Sequence, residues 1–394
     1  MKQHSLLTDA SQLFCQNARL PCKRTGRSQD DRQVWRKNEN VPNGRSARRP
    51  SVPGKGPCLK GEASPVELIV IVVTLLAYGC PLQAIVHAYD LDERTVARYQ
   101  KQVGNHCQKV HEERVMQKHL DLQHVQADEI RVKACRKIPW IAMALQIKTR
   151  LWLGGVVSEH RNRHLADALF HLVKQCCLPL QELLVVTDGW AAYPKSIRRV
   201  FREKALRQAR QGRCRLLAWP GLLIGTVIKR TERKHVVEVV RRMAQGLEER
   251  ALQLLASTQG GNVLNTSFIE RINGTFRERL ASLTRRCRHA SHSVEMLAAG
   301  MWLVGCTYNF CWPHHELSRQ RKQNLTPAMA SGLTDHPWSV RELLAHRIAP
   351  PPWQPAICGE GSLRASGCPP QTPPVKRQTG LLRLRKGGLC PSTR

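Results

Sequence analysis

Residues 265–280 read NTSFIERINGTFRERL and have the spacing of an amphipathic helix. Apolar side chains recur at steps of three and four residues, as the period of a helix requires. They are Phe268, Ile269, Ile272, Phe276, Leu280 and Leu283. We expect Asn265, Thr266 or Ser267 to cap the start of this helix, because short polar side chains accept hydrogen bonds from its first free amides.

Three polar residues of this predicted helix share one face. Glu270, Asn273 and Arg277 follow one another at i, i+3 and i+7, so they lie together opposite the apolar stripe. A carboxylate, an amide and a guanidinium in this arrangement can hold a metal ion beside a phosphate backbone. The alternative is a solvated face with an ion pair, and a single motif does not separate the two.

Two aspartates upstream occupy strand-like positions. Asp128 lies within the alternating segment HVQADEIRV, and Asp188 ends the apolar run LLVVT. Sites in α/β proteins collect at the carboxyl ends of such strands, although a lone aspartate there is more often a cap. Together with Glu270 they form a set that can bind two divalent cations for phosphoryl displacement. Mg²⁺ is the expected ion, with Mn²⁺ as an alternative, because it is a hard, oxygen-seeking cation.

The charge balance predicts a polyanionic partner. The 394 residues include 62 Lys+Arg against 30 Asp+Glu, a formal net charge of +32. Nucleic acid is the first candidate for such an excess, and the 42% hydrophobic content argues against a ribosomal-type structural protein. No signal peptide is predicted. The longest apolar run, Leu68–Ala77, is too short for a bilayer span, so we expect a core helix there. The 15 cysteines are odd in number and scattered, which favours a reduced compartment.

The region 61–105 is predicted to be a small helical domain. Its expected helices are Glu67–Tyr78, Pro81–Ala88 and Glu93–Val103, with Asp92 as the cap of the third. Two short helices joined by a tight turn have the form of a helix-turn-helix, which would direct Arg94, Thr95 and Arg98 toward the major groove. The alternative is a plain three-helix cap with a charged surface.

The region 124–312 is predicted to be the catalytic domain, with a mixed α/β sheet. Its expected elements are strands His124–Val132, Trp140–Ile147 and Leu151–Val157, helix Arg163–Cys176, strand Leu183–Thr187, helix Ser196–Ala209, an apolar segment Leu216–Val227 and helix Val236–Leu255. Because 82 positions separate Asp188 from Glu270, we expect an insertion at about 212–261. The other predicted parts are a basic, disordered arm at 1–60, a helical linker at 106–123, a C-terminal helical segment at 313–349 and a disordered basic tail at 350–394. His314 and His315 are read as loop residues.

Several segments together resemble the DDE transposases of bacterial insertion sequences. The matching segments are QADE at 126–129, TDGWAAY at 187–193, NTSFIERINGTFR at 265–277, YNFCWPH at 308–314 and TPAM at 326–329. The resemblance implies a ribonuclease-H-like fold, a metal-binding triad of Asp128, Asp188 and Glu270, and a DNA contact from Arg277, with Asn273 beside it. It also implies terminal inverted repeats and target DNA as partners, a homodimer in the synaptic complex, and a location in the bacterial cytoplasm at the nucleoid.

Two other functions remain open from the sequence. A ribonuclease-H-like nuclease would cut DNA without joining it, and a DNA-binding regulator derived from an inactive transposase would use residues 65–103 alone. Trp190, next to Asp188, is most simply a packing residue, with stacking on an unpaired base as the alternative.

Overall fold

A computed structural model describes residues 64–132, 139–204, 216–233, 235–259, 261–283 and 293–349. The helices are α1 (Val66–Ala77), α2 (Leu82–Tyr89), α3 (Glu93–Arg114), α4 (Arg163–Cys176), α5 (Ala192–Val200), α6 (Glu248–Gln259), α7 (Ser267–Arg279), α8 (Val294–Cys306), α9 (His315–Arg321), α10 (Pro327–Ala330) and α11 (Val340–Ala345). The strands are β1 (His124–Arg131), β2 (Trp140–Gln146), β3 (Trp152–Ser158), β4 (Leu183–Asp188), β5 (Arg202–Lys204), β6 (Leu216–Ala218), β7 (Leu222–Glu232) and β8 (His235–Gln245). The predicted terminal segments 1–60 and 350–394 lie outside the described residues.

A mixed six-stranded sheet forms the centre of the α/β fold. Its strand order is β3-β2-β1-β4-β7-β8. β2 is antiparallel to both of its neighbours, β1 and β3, whereas β1, β4 and β7 run parallel, and β8 closes the edge antiparallel to β7. The predicted α/β class and mixed sheet are confirmed.

Helices cover both faces of this sheet. Leu183 and Val185 of β4 belong to the main hydrophobic core, whereas the alternate residues Leu184 and Val186 pack with α6. This alternation follows from the two-residue period of a strand. Strands buried on both faces are continuously apolar, which is why the run before Asp188 was recognisable in the sequence.

The three N-terminal helices form as predicted, but the third is longer. α1 buries Ile69, Val72 and Val73, and Asp92 accepts a hydrogen bond from the Arg94 amide at the start of α3. α3 continues through the predicted boundary at 105 to Arg114. Its second half, which includes the first part of the predicted helical linker, is buried against α8 and shares the main core with the sheet.

The predicted helix Val236–Leu255 is wrong. Residues 235–245 form strand β8, and α6 begins only at Glu248, after Gly246 at φ +91°. β-branched valines dominate the first half of this segment and favour a strand, and a hairpin with β7 supplies the pairing. The predicted insertion at 212–261 therefore contributes β7 and β8 to the central sheet. The predicted helix Ser196–Ala209 begins earlier and ends at Val200, where β5 follows.

The remaining helices close the fold around α7. α8 is apolar on all sides, and its last turn becomes a π-helix at Thr307–Cys311. α3 and α8 touch closely, since a Cβ at Gly104 would lie 2.4 Å from the Ala299 Cα. Among the helices of the described residues, none has the length and apolar character that a membrane crossing requires.

Candidate functional site

Asp128 and Asp188 lie side by side on the two central parallel strands. The register places Ala127 of β1 opposite Thr187 of β4, so the next residue of each strand is the aspartate. Asp188 is the last residue of β4, and Asp128 lies three residues before the end of β1. The structure therefore brings together two members of the predicted metal-binding set.

Glu129 joins these two aspartates. One carboxylate oxygen from each of Asp128, Glu129 and Asp188 lies within 4.8 Å of the others, which is close enough to hold a metal ion. No role had been predicted for Glu129, because strand alternation directs it to the face opposite Asp128. Its hydrogen bond from the Tyr193 hydroxyl of α5, 2.6 Å long, places it on that face. In the sequence, only its position next to Asp128 indicated that Glu129 could belong to the site.

The site disfavours negative charge when no cation is bound. Burial, followed by the charges of Asp188 and Glu129, raises the pKa of Asp128 from 3.8 to about 7. Burial and Glu129 raise the pKa of Asp188 to about 6, although the Trp190 amide and Arg161 act in the opposite direction. Carboxylates that repel one another in a half-buried site are stabilised by a bound cation.

Arg161 supplies positive charge to this cluster from within the protein. Its guanidinium forms an ion pair with Glu129 and lies 3.7 Å from Asp188. The same group stacks over Trp190, with 4.5 Å between the guanidinium carbon and the ring centroid, and 5.3 Å from Trp140. Trp190 itself packs against the core, as predicted.

Gln126 attaches α7 to β1 beside the cluster. Its side-chain oxygen accepts a hydrogen bond from the Ile269 amide (3.1 Å), and its nitrogen donates one to the Asn265 carbonyl (2.8 Å). Gln126 is fully buried. α7 therefore begins at a fixed place over the sheet. The Thr266 hydroxyl, one of the predicted caps, donates to the Glu270 carboxylate instead (2.6 Å).

Asn273 lies on the buried face of α7, so its predicted position opposite the apolar stripe is wrong. It is 2% exposed, and its Nδ2 donates a 2.8 Å hydrogen bond to Asp128 Oδ2. Asn273 shares the buried face of α7 with Ile269, Ile272 and Phe276, which pack on the sheet. Its Oδ1 atom is buried without a hydrogen-bonding partner among the described residues.

Glu270 stands at the edge of the site and is not one of the three mutually close carboxylates. It forms an ion pair with Lys229 of β7, and its side chain is 45% exposed. Burial raises the pKa of Glu270, but Lys229 and Thr266 hold it below its ordinary value. Its charge still contributes to the raised pKa of Asp128. The predicted third carboxylate is thus near the cluster and paired with a lysine.

The predicted DNA contacts occupy two separate places. Arg277 is half-buried near the end of α7 and has no hydrogen bond or ion pair within the described part of the chain. Arg94 and Arg98 are exposed on the first turns of α3, and Thr95 between them is half-buried. α2 and α3 are joined by a short turn in which Asp90 adopts a left-handed conformation (φ 49°). These positions leave the proposed contacts untested.

Comparison with known proteins adds no assignment. No protein-family model matches the chain, and no curated protein sequence matches it. The function that follows is therefore argued from the residues and the geometry of the carboxylate site.

Proposed function

We propose that this protein is a DNA transposase that cuts DNA at the ends of an insertion sequence and joins the freed 3′-hydroxyl to target DNA. The proposal rests chiefly on one observation: Asp128 and Asp188 lie together on neighbouring parallel strands, and α7 is docked onto Asp128 by Asn273. Glu270, on the same helix, stands at the edge of that site. A mixed sheet with acidic residues on its two central strands supports a ribonuclease-H-like core.

The residues of the site fit a divalent cation. Asp128, Glu129 and Asp188 offer mutually close oxygens, the pKa values of both aspartates are raised, and the buried Asn273 Oδ1 has no described partner. Mg²⁺, or Mn²⁺ in its place, suits this set of oxygen ligands. When bound, two such ions stabilise the attacking and leaving oxygens of an in-line displacement at phosphorus. Asp128 and Asp188 would hold them, with Glu270 completing the set.

Arginine and lysine side chains of the protein pair with the carboxylates of the site in the absence of a metal ion. Arg161 forms an ion pair with Glu129 and lies 3.7 Å from Asp188, and Lys229 forms an ion pair with Glu270. Asn273 fixes one oxygen of Asp128, which leaves the other oriented by the Glu129 amide (2.8 Å). These contacts orient the carboxylates and limit their repulsion. Preorganised groups of this kind need little rearrangement when charge develops at a phosphate.

The DNA-binding role of the remaining surface follows from charge. A net charge of +32 provides salt-dependent affinity for phosphates. The α2–α3 pair, with Arg94, Thr95 and Arg98 near its turn, is proposed to read the terminal inverted repeats, and Arg277 to contact the strand at the site. Synapsis of two ends would make the working form a dimer.

The test is cleavage and strand transfer on DNA from the flanks of the coding gene, with Mg²⁺ or Mn²⁺. We expect wild-type protein to nick and join, and Glu270→Gln to lose activity by roughly 100-fold or more, the scale on which one transition-state-stabilising group acts. Glu295→Gln is the matched control, because Glu295 is an exposed carboxylate paired with Lys101 and is outside the site.

Other outcomes of this test point to the two rival functions. Nicking without joining would replace the transposase with a ribonuclease-H-like nuclease. Binding of the flanking DNA with no cutting by the wild-type protein would favour the DNA-binding regulator. Equal activity of wild type and Glu270→Gln would remove Glu270 from the proposed set.

A further inference from the structure

A groove runs along the face of α7 that points away from the carboxylate site. Two adjoining cavities of about 380 and 470 Å³ form it. Both are lined by Arg271, Thr275, Tyr308, His314 and Glu316. Arg271 is exposed and lies two residues from the buried Asn273, so the two side chains leave α7 in nearly opposite directions. We call this surface the α7 groove; its volume is typical of small-molecule sites.

Positive charge is crowded in one half of the α7 groove. Burial lowers the pKa of the Arg150 guanidinium; Tyr308 and Glu316 act in the opposite direction, and the charge of Arg271 lowers it. Burial, followed by the charges of Arg150 and Arg271, lowers the pKa of His314 to about 4. Glu316 is the one acid among the described lining residues, and it is paired with Arg319 at 2.8 Å. Cations that repel one another in a half-buried groove favour a bound anion.

Aromatic rings form the other half of the α7 groove. Tyr78 and Trp312 meet edge to face at 5.2 Å, and the Arg279 guanidinium lies over both rings at 4.9 and 5.1 Å. Tyr78 remains 49% exposed. It is held there because Gly79, at φ +82°, lets the end of α1 approach α7; a Cβ at this position would lie 2.8 Å from the Glu278 carbonyl oxygen.

Three polar atoms at the α7 groove lack a described hydrogen-bonding partner. They are Arg279 Nε, Trp312 Nε1 and His314 Nδ1, each buried within a half-buried residue. Arg271 also has no hydrogen bond or ion pair from its side chain to any described residue. The three buried atoms are shielded from solvent, whereas Arg271 is exposed, so Arg271 is the group that an acceptor on a bound ligand would meet first.

We infer that the α7 groove binds a single strand of DNA, with a phosphate between Arg150 and Arg271 and an unpaired base on Tyr78. Basic side chains interleaved with aromatic rings are the usual platform for single strands, whereas a duplex keeps the faces of its bases covered. The inference rests on the proposed function, since a strand cut at the carboxylate site reaches the groove across the width of one helix, about 10 Å.

The test measures binding of a fluorescein-labelled oligothymidine of about 12 nucleotides and of a duplex of equal length, by anisotropy in EDTA. We expect Tyr78→Ala to weaken single-strand binding by about tenfold or more and to leave duplex binding unchanged. Tyr78→Phe should keep the affinity because it keeps the ring. Leu178→Ala is the control, since Leu178 follows α4, is 46% exposed and lies outside both the α7 groove and the α2–α3 pair.

Arg271 provides a second measurement that does not depend on the first variant. Arg271→Ala should weaken single-strand binding and lower the slope of log K against log salt by about 0.7, the share of one phosphate contact. Arg341→Ala, an exposed arginine of α11, is its control. If Tyr78→Ala fails to fold, two measurements still test the inference. They are the single-strand affinity of Arg271→Ala and the displacement of the labelled oligonucleotide by polyglutamate.

Three results would overturn the inference. They are equal single-strand affinity of wild type, Tyr78→Ala and Arg271→Ala; an equal loss of duplex binding in Tyr78→Ala; and displacement of the oligonucleotide by polyglutamate of the same charge at the same concentration. The result of the cleavage assay is independent of this binding test, because binding is measured without metal. Cleavage by a wild-type protein whose groove variants bind normally would reject the groove and keep the proposed function.

Discussion

The fold gives Asp128 surroundings that its position in the sequence does not show. In the sequence it is one acidic position in an alternating strand. In the folded protein it is half-buried, faces two other carboxylates and receives a hydrogen bond from Asn273. The site therefore makes its own ionisation unfavourable, and this unfavourable free energy is a measurable property of the metal-free protein.

The raised pKa of Asp128 predicts an unusual pH dependence. Between pH 3.8 and about 7 the folded protein keeps a proton that the unfolded chain has lost, so the stability contributed by this group falls as pH rises through that window. Asp128→Asn removes a penalty of up to about 4 kcal/mol but loses one of the two hydrogen bonds that Asp128 accepts, so it should stabilise the metal-free protein at pH 7.5 by roughly 2 kcal/mol, and less as pH is lowered toward 4. Thermal or urea unfolding in EDTA across this range measures it.

Asp167 is the control for that experiment. Its pKa is lowered below its ordinary value, since the arginines Arg199 and Arg163 outweigh the effect of burial. Asp167→Asn should thus give no stabilisation at pH 7.5. Adding Mg²⁺ should raise the melting temperature of the wild type and not of Asp128→Asn. A destabilised Asp128→Asn at pH 7.5 in EDTA would contradict the prediction.

At the scale of elements, the placement of α7 depends on contacts that its own sequence does not contain. Its apolar stripe predicts a buried face, and the structure confirms a helix there. Gln126 and Asp128 of β1 form the hydrogen bonds that fix the position of α7 on the sheet. A strand residue thus decides where the predicted catalytic helix begins.

Gln126→Leu should destabilise the protein although the volumes are similar. The substitution leaves the Ile269 amide and the Asn265 carbonyl without their side-chain partner in a buried place, which costs about 1–3 kcal/mol. Gln320→Leu, on the exposed face of α9, is the control and should change stability by less than about 0.5 kcal/mol. Urea unfolding of both variants measures the difference. Equal stabilities would show that α7 is held by its apolar face alone.

For the whole molecule, the main consequence is that the N-terminal helices and the sheet share one core. Residues of α1, α3, the strands and α8 all belong to the same buried cluster. Two histidines in the second half of α3 contact distant elements: His106 contacts the Leu343 carbonyl and His111 the Leu153 carbonyl, both at 2.9 Å. Helices bound in this way are structural support for the central sheet as well as a proposed reader of DNA.

Removing the N-terminal helices should therefore unfold the rest. We expect a fragment of residues 64–349 to melt cooperatively, and a fragment of residues 116–349 to lose its near-UV circular dichroism and bind a hydrophobic dye. The reason is that the α3-facing side of α8 would be exposed, where Gly104 and Ala299 now touch. Calorimetry and dye binding compare the two. Cooperative melting of 116–349 would instead make residues 64–115 a separate domain.

The sequence by itself determined the elements and the two aspartates. Helix α4 and strands β1 to β4 lie within a residue or two of their predicted bounds. Helix α7 begins at Ser267, one of the three predicted cap residues. Periods of two and 3.6 residues report local geometry directly, so such elements can be read without the partner that covers them. The pairing of Asp128 with Asp188 followed from the rule that parallel strands end at one edge.

Only the tertiary structure decided which residues of other elements contact the two aspartates, α7 and β8. Glu129 and Arg161 enter the site through contacts between β1, β4 and the start of α4, and Asn273 turns inward because α7 packs on β1. β8 is a strand because β7 is beside it to pair with. Hydrogen bonds and ion pairs between residues far apart in the chain leave no periodic trace in the sequence, since they depend on how elements are placed in space.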